Sequence, residues 1–100
     1  MHVPKPKKKA SEILRETTVE QCIGNYKDGE RYCSIGLMAN YFGWKGFDKY
    51  NMALGMAPYA EKMQQELGLD GQTRLKMMEM NNVFKMSFSE IADYLERIGL

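Results

Sequence analysis

The sequence predicts an all-α fold: a single small domain of four to six short helices around one core, behind a disordered basic N-terminal tail. Three observations carry this expectation. The chain has 100 residues, enough for one hydrophobic core and too few for two. Apolar residues make up 44% and charged residues 27%, the balance of a chain that folds rather than one that stays disordered. Apolar positions recur at helical spacing, most clearly at Phe88, Ile91, Ala92, Leu95 and Ile98.

Residues 1–9 read as the tail: two prolines disfavour helix, and Lys5, Lys7, Lys8 and Lys9 repel one another. Residues 10–100 form the predicted helical domain. Ser11 is a candidate cap for a first helix of about ten residues, with Glu12 in its opening turn. Ile13, Leu14, Thr17 and Cys22 fall near one face, and the β-branched run Thr17-Thr18-Val19 weakens its far end. Gly24 to Glu30 reads as a turn or loop by its Gly, Asn and Asp content. Tyr32 to Phe42 is the most apolar stretch and the predicted central helix. Ser34, Gly36 and Ala39 leave room for a neighbouring helix to approach.

Gly43 to Gly46 breaks that helix. Asp48 is placed to cap a stretch through Tyr50, Met52, Leu54 and Met56, which Gly55 and Pro58 interrupt. Pro58 suits the first turn of a helix ending at Leu67, with Gly68 as its stop. Leu69-Asp70-Gly71 is a turn, and Thr73 is a candidate cap for a helix up to Asn81-Asn82. The final helix has the clearest signature. Ser87-Phe88-Ser89-Glu90 is a capping box, and Gly99 ends the stripe that follows.

Charge and composition narrow the function classes. Residues 1–9 carry four lysines and no acid, whereas residues 10–100 hold ten Lys and Arg against thirteen Asp and Glu, a balance of −3. A slightly acidic body is a poor match for a nucleic-acid backbone, so such affinity would come from the tail or a local patch. No apolar run reaches the roughly 18 residues of a membrane span. The N-terminus lacks the apolar region of a secretory signal, so the expected location is the cytoplasm, where Cys22 and Cys33 are expected to be free thiols.

No catalytic set stands out. His2 is the only histidine, and two cysteines do not complete a zinc site alone. Cys33 lies near a predicted helix N-terminus, but reads better as a buried small hydrophobe than as a nucleophile. No Walker-type glycine loop is present. The protein is therefore read as a non-enzyme, with no cofactor and no metal.

Two binding surfaces are assigned. Tyr41, Phe42, Trp44, Phe47 and Tyr50 cluster around a glycine-flanked loop and would suit a protein interface, although the same residues can simply close the end of the core. Lys5, Lys7, Lys8, Lys9, Arg15, Lys45 and Lys49 would serve nucleic acid. Met86 to Glu96 also resembles the opening helix of a helix-turn-helix, but no recognition helix follows before Leu100, and a capped packing helix explains the same residues. The nine methionines fit either core packing or an adaptable protein-binding groove.

Gln21 to Leu37 is similar to a pattern in small uncharacterised proteins of bacteria and their phages. There a "G-x-Y-x-x-D-G" loop leads into a "C-x-x-G-x-L" helix. Met80 to Glu96 resembles that family's closing segment, "N-D … S-F-x-E-I-A-D-x-I-E", with Asn82 where the family usually has Asp. Order and rough spacing match over residues 11–98. The resemblance implies a small helical fold and a phage or mobile-element origin, and it implies no activity. The reading that joins these points is a small, non-enzymatic interaction or regulatory protein, virus-encoded and host-directed, acting on a protein partner or as a homodimer. A nucleic-acid binder is the alternative.

Overall fold

The computed structural model describes residues 8–46 and 55–100. Five helices and one short hairpin are seen among them: α1 Ala10–Glu16, β1 Lys27–Asp28, β2 Arg31–Tyr32, α2 Ser34–Tyr41, α3 Ala57–Leu67, α4 Gly71–Asn82 and α5 Phe88–Arg97. The protein is thus mostly helical, as expected, with a two-stranded antiparallel sheet that the sequence reading took as plain loop. Its strands are two residues long, too short for alternating burial to show in the sequence.

α1 and α5 lie against one another at one end. Ile13 and Leu14 of α1, with Phe88, Ile91, Ala92 and Leu95 of α5, are buried. Each large apolar side chain in such a core contributes about 1.5–3 kcal/mol. Ser11 does not cap α1. It is buried within the helix, and both its backbone N–H and its hydroxyl donate to the Leu100 carbonyl. Lys9 is the N-cap instead, and its N–H donates to the Glu12 carboxylate at 3.2 Å. The helix therefore begins at Ala10, the first residue of the predicted domain, and only its cap lies in the segment expected to be tail. Residues 1–7 and 47–54 lie outside the described residues, and with them Asp48 and the helical stretch expected through Tyr50.

The capping box of α5 forms as read: the Glu90 N–H donates to Ser87 Oγ at 3.2 Å, and the Ser87 N–H to Glu90 Oε1 at 3.1 Å. Ile98 falls off the buried stripe and is exposed at the helix end. α3 ends where Gly68 adopts a left-handed conformation (φ 72°), which costs glycine little. Arg74 donates to the Leu69 carbonyl, just past the helix, at 2.6 Å and to the Ala60 carbonyl near its start at 3.4 Å. α4 is capped by Asp70, not Thr73: the Thr73 N–H donates to Asp70 Oδ1 at 2.8 Å. That bond holds the Asp70 carboxyl below its ordinary pKa.

α2 is the central helix. Ser34, Ile35, Gly36, Leu37, Met38 and Ala39 are all buried. Cys33 is its N-cap, its sulfur accepting from the Gly36 N–H at 3.3 Å. What approaches Gly36 is not another helix. A Cβ there would sit 1.9 Å from the Tyr26 carbonyl oxygen, so glycine is required by loop backbone crossing the first turn of α2. No described helix is long and apolar enough to cross a membrane.

Candidate functional site

The segment from Glu20 to Tyr32 is held against α2, α4 and α5 by three side-chain amides. Gln21 pairs with Tyr32 in a parallel bridge: the Tyr32 N–H donates to the Glu20 carbonyl at 3.1 Å, and the Cys22 N–H to the Tyr32 carbonyl at 2.9 Å. In a continuing parallel ladder, the next bond would run from the Ser34 N–H to the Cys22 carbonyl. The fully buried Asn81 carboxamide stands there instead. Its Oδ1 accepts from the Ser34 N–H at 3.1 Å, and its Nδ2 donates to the Cys22 carbonyl at 2.9 Å. Asn81 is in effect an extra peptide group inserted between the two segments.

The network extends on both sides. Gln21 Nε2 donates to Asn81 Oδ1 and to the Met86 carbonyl, each at 2.7 Å. Gln21 Oε1 accepts from the Phe88 N–H at 3.0 Å, at the start of α5. Asn82 Oδ1 accepts from Asn81 Nδ2 at 2.7 Å and from the Gly24 N–H at 2.9 Å. Asn81 and Asn82 are the last two residues of α4, where the sequence places the helix end. A buried amide with every bond made fixes one arrangement of the chains around it.

This arrangement leaves a cleft of about 590 Å³ between the hairpin, the Trp44–Gly46 strip and α4. Gly24, Asn25, Tyr26, Lys27 and Gly29 form one wall, Met78 and Asn82 the other, and Trp44, Lys45 and Gly46 the floor. Its volume lies within the range of ligand pockets. Two lysines and no acid are found among its described lining residues. Lys27 Nζ donates to the Gly29 carbonyl and lies 5.7 Å from the centre of the Tyr32 ring. α4 and the residues after it carry three exposed apolar side chains, Leu75 at 65% and Val83 and Phe84 at 67% and 62%, among the exposed polar residues Gln72, Lys76 and Glu79.

The residues assigned from sequence divide. Trp44 is only 2% exposed. It packs edge-on to Tyr26 and Tyr32, with ring centres 6.4 and 6.1 Å away, so it belongs to the core while bordering the cleft. Asn40 Nδ2 secures it by donating to the Trp44 carbonyl at 3.0 Å. Tyr41 is 47% exposed, Phe42 half-buried, and their rings meet edge to face at 5.2 Å. Both line a different, smaller hollow beside Lys8 and Leu67. The structure therefore separates Trp44 from Tyr41 and Phe42. Phe47, Tyr50, Lys49, Lys5 and Lys7 lie outside the described residues.

Of the described cations assigned to nucleic acid, two have acidic partners. Arg15 lies 2.6 Å from both Asp93 and Glu96. Lys8 lies 2.6 Å from Glu16. Lys9 is exposed at the cap of α1, and Lys45 is exposed on the cleft floor. Lys45 shares the cleft with Lys27, whereas Lys8, Lys9 and Arg15 lie on or next to α1. Both cysteines are free and buried, and burial pushes each thiol pKa up, the reverse of what a nucleophilic thiolate needs. No group of three or more metal-binding side chains occurs among the described residues.

The sequence reading missed Gln21, Asn81, Asn82 and Lys27. One signal for Asn81 was available: it lies four residues after the buried Met77, on the same face of α4. A polar residue on an apolar stripe needs a buried partner. Compared with protein families, curated proteins and solved structures, the chain matches none.

Proposed function

We propose that this is a non-enzymatic interaction protein that seats a short acidic segment of a protein partner in the cleft between the hairpin and α4. The observation that carries this reading is the lining. Lys27 and Lys45 line a cleft with no described acidic residue, and Leu75, Val83 and Phe84 are exposed on α4 and just past it. Cations set orientation and on-rate for an acidic chain, while the flanking apolar side chains supply burial. The phage or mobile-element origin implied by the resemblance would make the partner a host protein, met in the cytoplasm.

Nucleic acid is favoured less. Arg15 and Lys8 are engaged by acids of the same chain, and a duplex needs a continuous basic surface.

The test is panning of a random peptide display library on the intact protein at physiological salt. Enriched peptides should be rich in Asp and Glu beside an apolar residue. They should bind the Lys27→Glu/Lys45→Glu double variant roughly tenfold or more weakly. Duplex DNA should not displace them. Peptides with no acidic bias, equal capture by the double variant, or displacement by DNA would overturn the reading.

A further inference from the structure

We infer that Cys22 and Cys33 form a two-thiol redox site, closing to an intramolecular disulfide when a small-molecule disulfide such as glutathione disulfide is present. The placement comes from the backbone. Gln21 and Tyr32 are partners in a parallel bridge, so Cys22 and Cys33 are the next residues in the same register. Parallel partners project to the same side of their ladder. Neighbouring strands run about 4.8 Å apart, and a disulfide joins Cα atoms roughly 4.4–6.8 Å apart. The Cys22 N–H to Tyr32 carbonyl bond of 2.9 Å is the last direct bond between the two segments, and the Asn81 carboxamide takes over at the Cys22 carbonyl.

Local bonds agree with this placement. The Cys22 thiol donates to the Asn25 carbonyl at 3.3 Å. The Cys33 N–H donates to the carbonyl of the following residue, Tyr26, at 3.1 Å. The Cys22 side chain and the Cys33 backbone thus both bond to the turn from Cys22 to Tyr26. Both thiols are buried, which makes them slow to meet an oxidant while the protein stays folded. Their bond is therefore governed by the equilibrium geometry and by brief openings of the 22–26 turn.

The exchange balances without any further reagent. Once the site opens and the Cys22 thiol gives its proton to solvent, its thiolate attacks one sulfur of glutathione disulfide, and one glutathione thiolate leaves. The Cys33 thiolate then attacks the Cys22 sulfur of the mixed disulfide, and the second glutathione leaves. Two electrons pass from the protein to glutathione, and the two thiol protons end on the two glutathione thiols. Closure removes the sulfur lone-pair cap from the Gly36 N–H only in part, because a disulfide sulfur still accepts weakly.

The experiment is an effective-concentration measurement on the full chain. Reduced protein is equilibrated with mixtures of reduced and oxidised glutathione, once in native buffer and once in denaturant. Both samples are quenched with acid and read by intact mass and peptide mapping. Loss of two hydrogens with a Cys22–Cys33 cross-link marks the disulfide. The effective concentration of the pair should be roughly tenfold or more higher in the folded protein than in the denatured chain. Cys22→Ser and Cys33→Ser should each yield only a glutathione adduct. An effective concentration equal to or below that of the denatured chain would overturn the inference, because native geometry would then not favour the bond.

Discussion

The two ends of this molecule are built by different means. At one end α1 and α5 bury apolar stripes, cap themselves with residues three apart, and tie Arg15 to Asp93 and Glu96 across the surface. At the other, the hairpin segment, α2 and α4 meet around Asn81, whose partners Ser34, Cys22 and Gln21 are 47 to 60 residues away in the chain. The first end relies on local sequence pattern and tolerates small changes in its polar contacts. The second relies on one side chain satisfying several backbone groups, and it is the end that forms the cleft. Where the candidate site lies, the fold depends on non-local polar bonds.

The largest effect is expected from Asn81→Leu. It leaves the Ser34 N–H, the Cys22 carbonyl and Gln21 Nε2 without their partner in a buried setting. At about 1–3 kcal/mol for each orphaned group, the loss should reach about 4 kcal/mol by denaturant unfolding, a large share of a small domain's stability. Gly36→Ala comes next. The new methyl meets the Tyr26 carbonyl oxygen, and backbone cannot yield as a flexible side chain does, so about 3 kcal/mol is expected. Ser87→Ala removes a side-chain cap from α5 and should cost about 1 kcal/mol. A loss at Ser87 matching that at Asn81 would erase the contrast between the two ends.

The pH dependence sharpens the contrast at the cleft end. Burial raises the pKa of Cys22 and Cys33 in the folded state, so the folded protein holds these protons more tightly than the unfolded chain. Their contribution is fully present below the unfolded thiol pKa of about 8.5. It is lost as pH rises from there through the raised folded values. Urea midpoints should fall between neutral and alkaline pH, and the Cys22→Ala/Cys33→Ala double variant should show a shallower fall. Arg15→Gln gives the smallest effect. Its ion pairs are solvent-exposed, so its unfolding midpoint should differ little from that of the parent at low salt and not at all at high salt.

How much of this was legible in the sequence follows the same division. The Ser87–Glu90 box, the Gly68 stop and the position of Cys33 at the start of α2 were readable, because each signal lies within a few residues of its effect. Ser11 and Thr73 were misplaced by a few residues because Lys9 and Asp70 take the cap positions. The hairpin was not readable, since two-residue strands carry no periodicity. Nor was the role of Gly36, whose close neighbour is a loop carbonyl. The aromatic cluster from Tyr41 to Tyr50 looked like one surface. In the folded chain Asn40 fixes the turn that sends Trp44 inward, while Tyr41 stays outside. Lys27 was unremarkable in sequence and gains its place only because the hairpin brings it opposite Met78 and Asn82.

The account turns on the claim that the Asn81 carboxamide replaces a rung of the backbone ladder and so holds the wall of the cleft. Hydrogen exchange of the Asn81 side-chain N–H₂ group, followed by NMR on the intact protein, tests it most directly. The account predicts exchange as slow as that of the most protected backbone amides of α2 and α5, because releasing this group requires opening the core. Exchange at the rate of the solvent-exposed asparagine amide of Asn25 would contradict it.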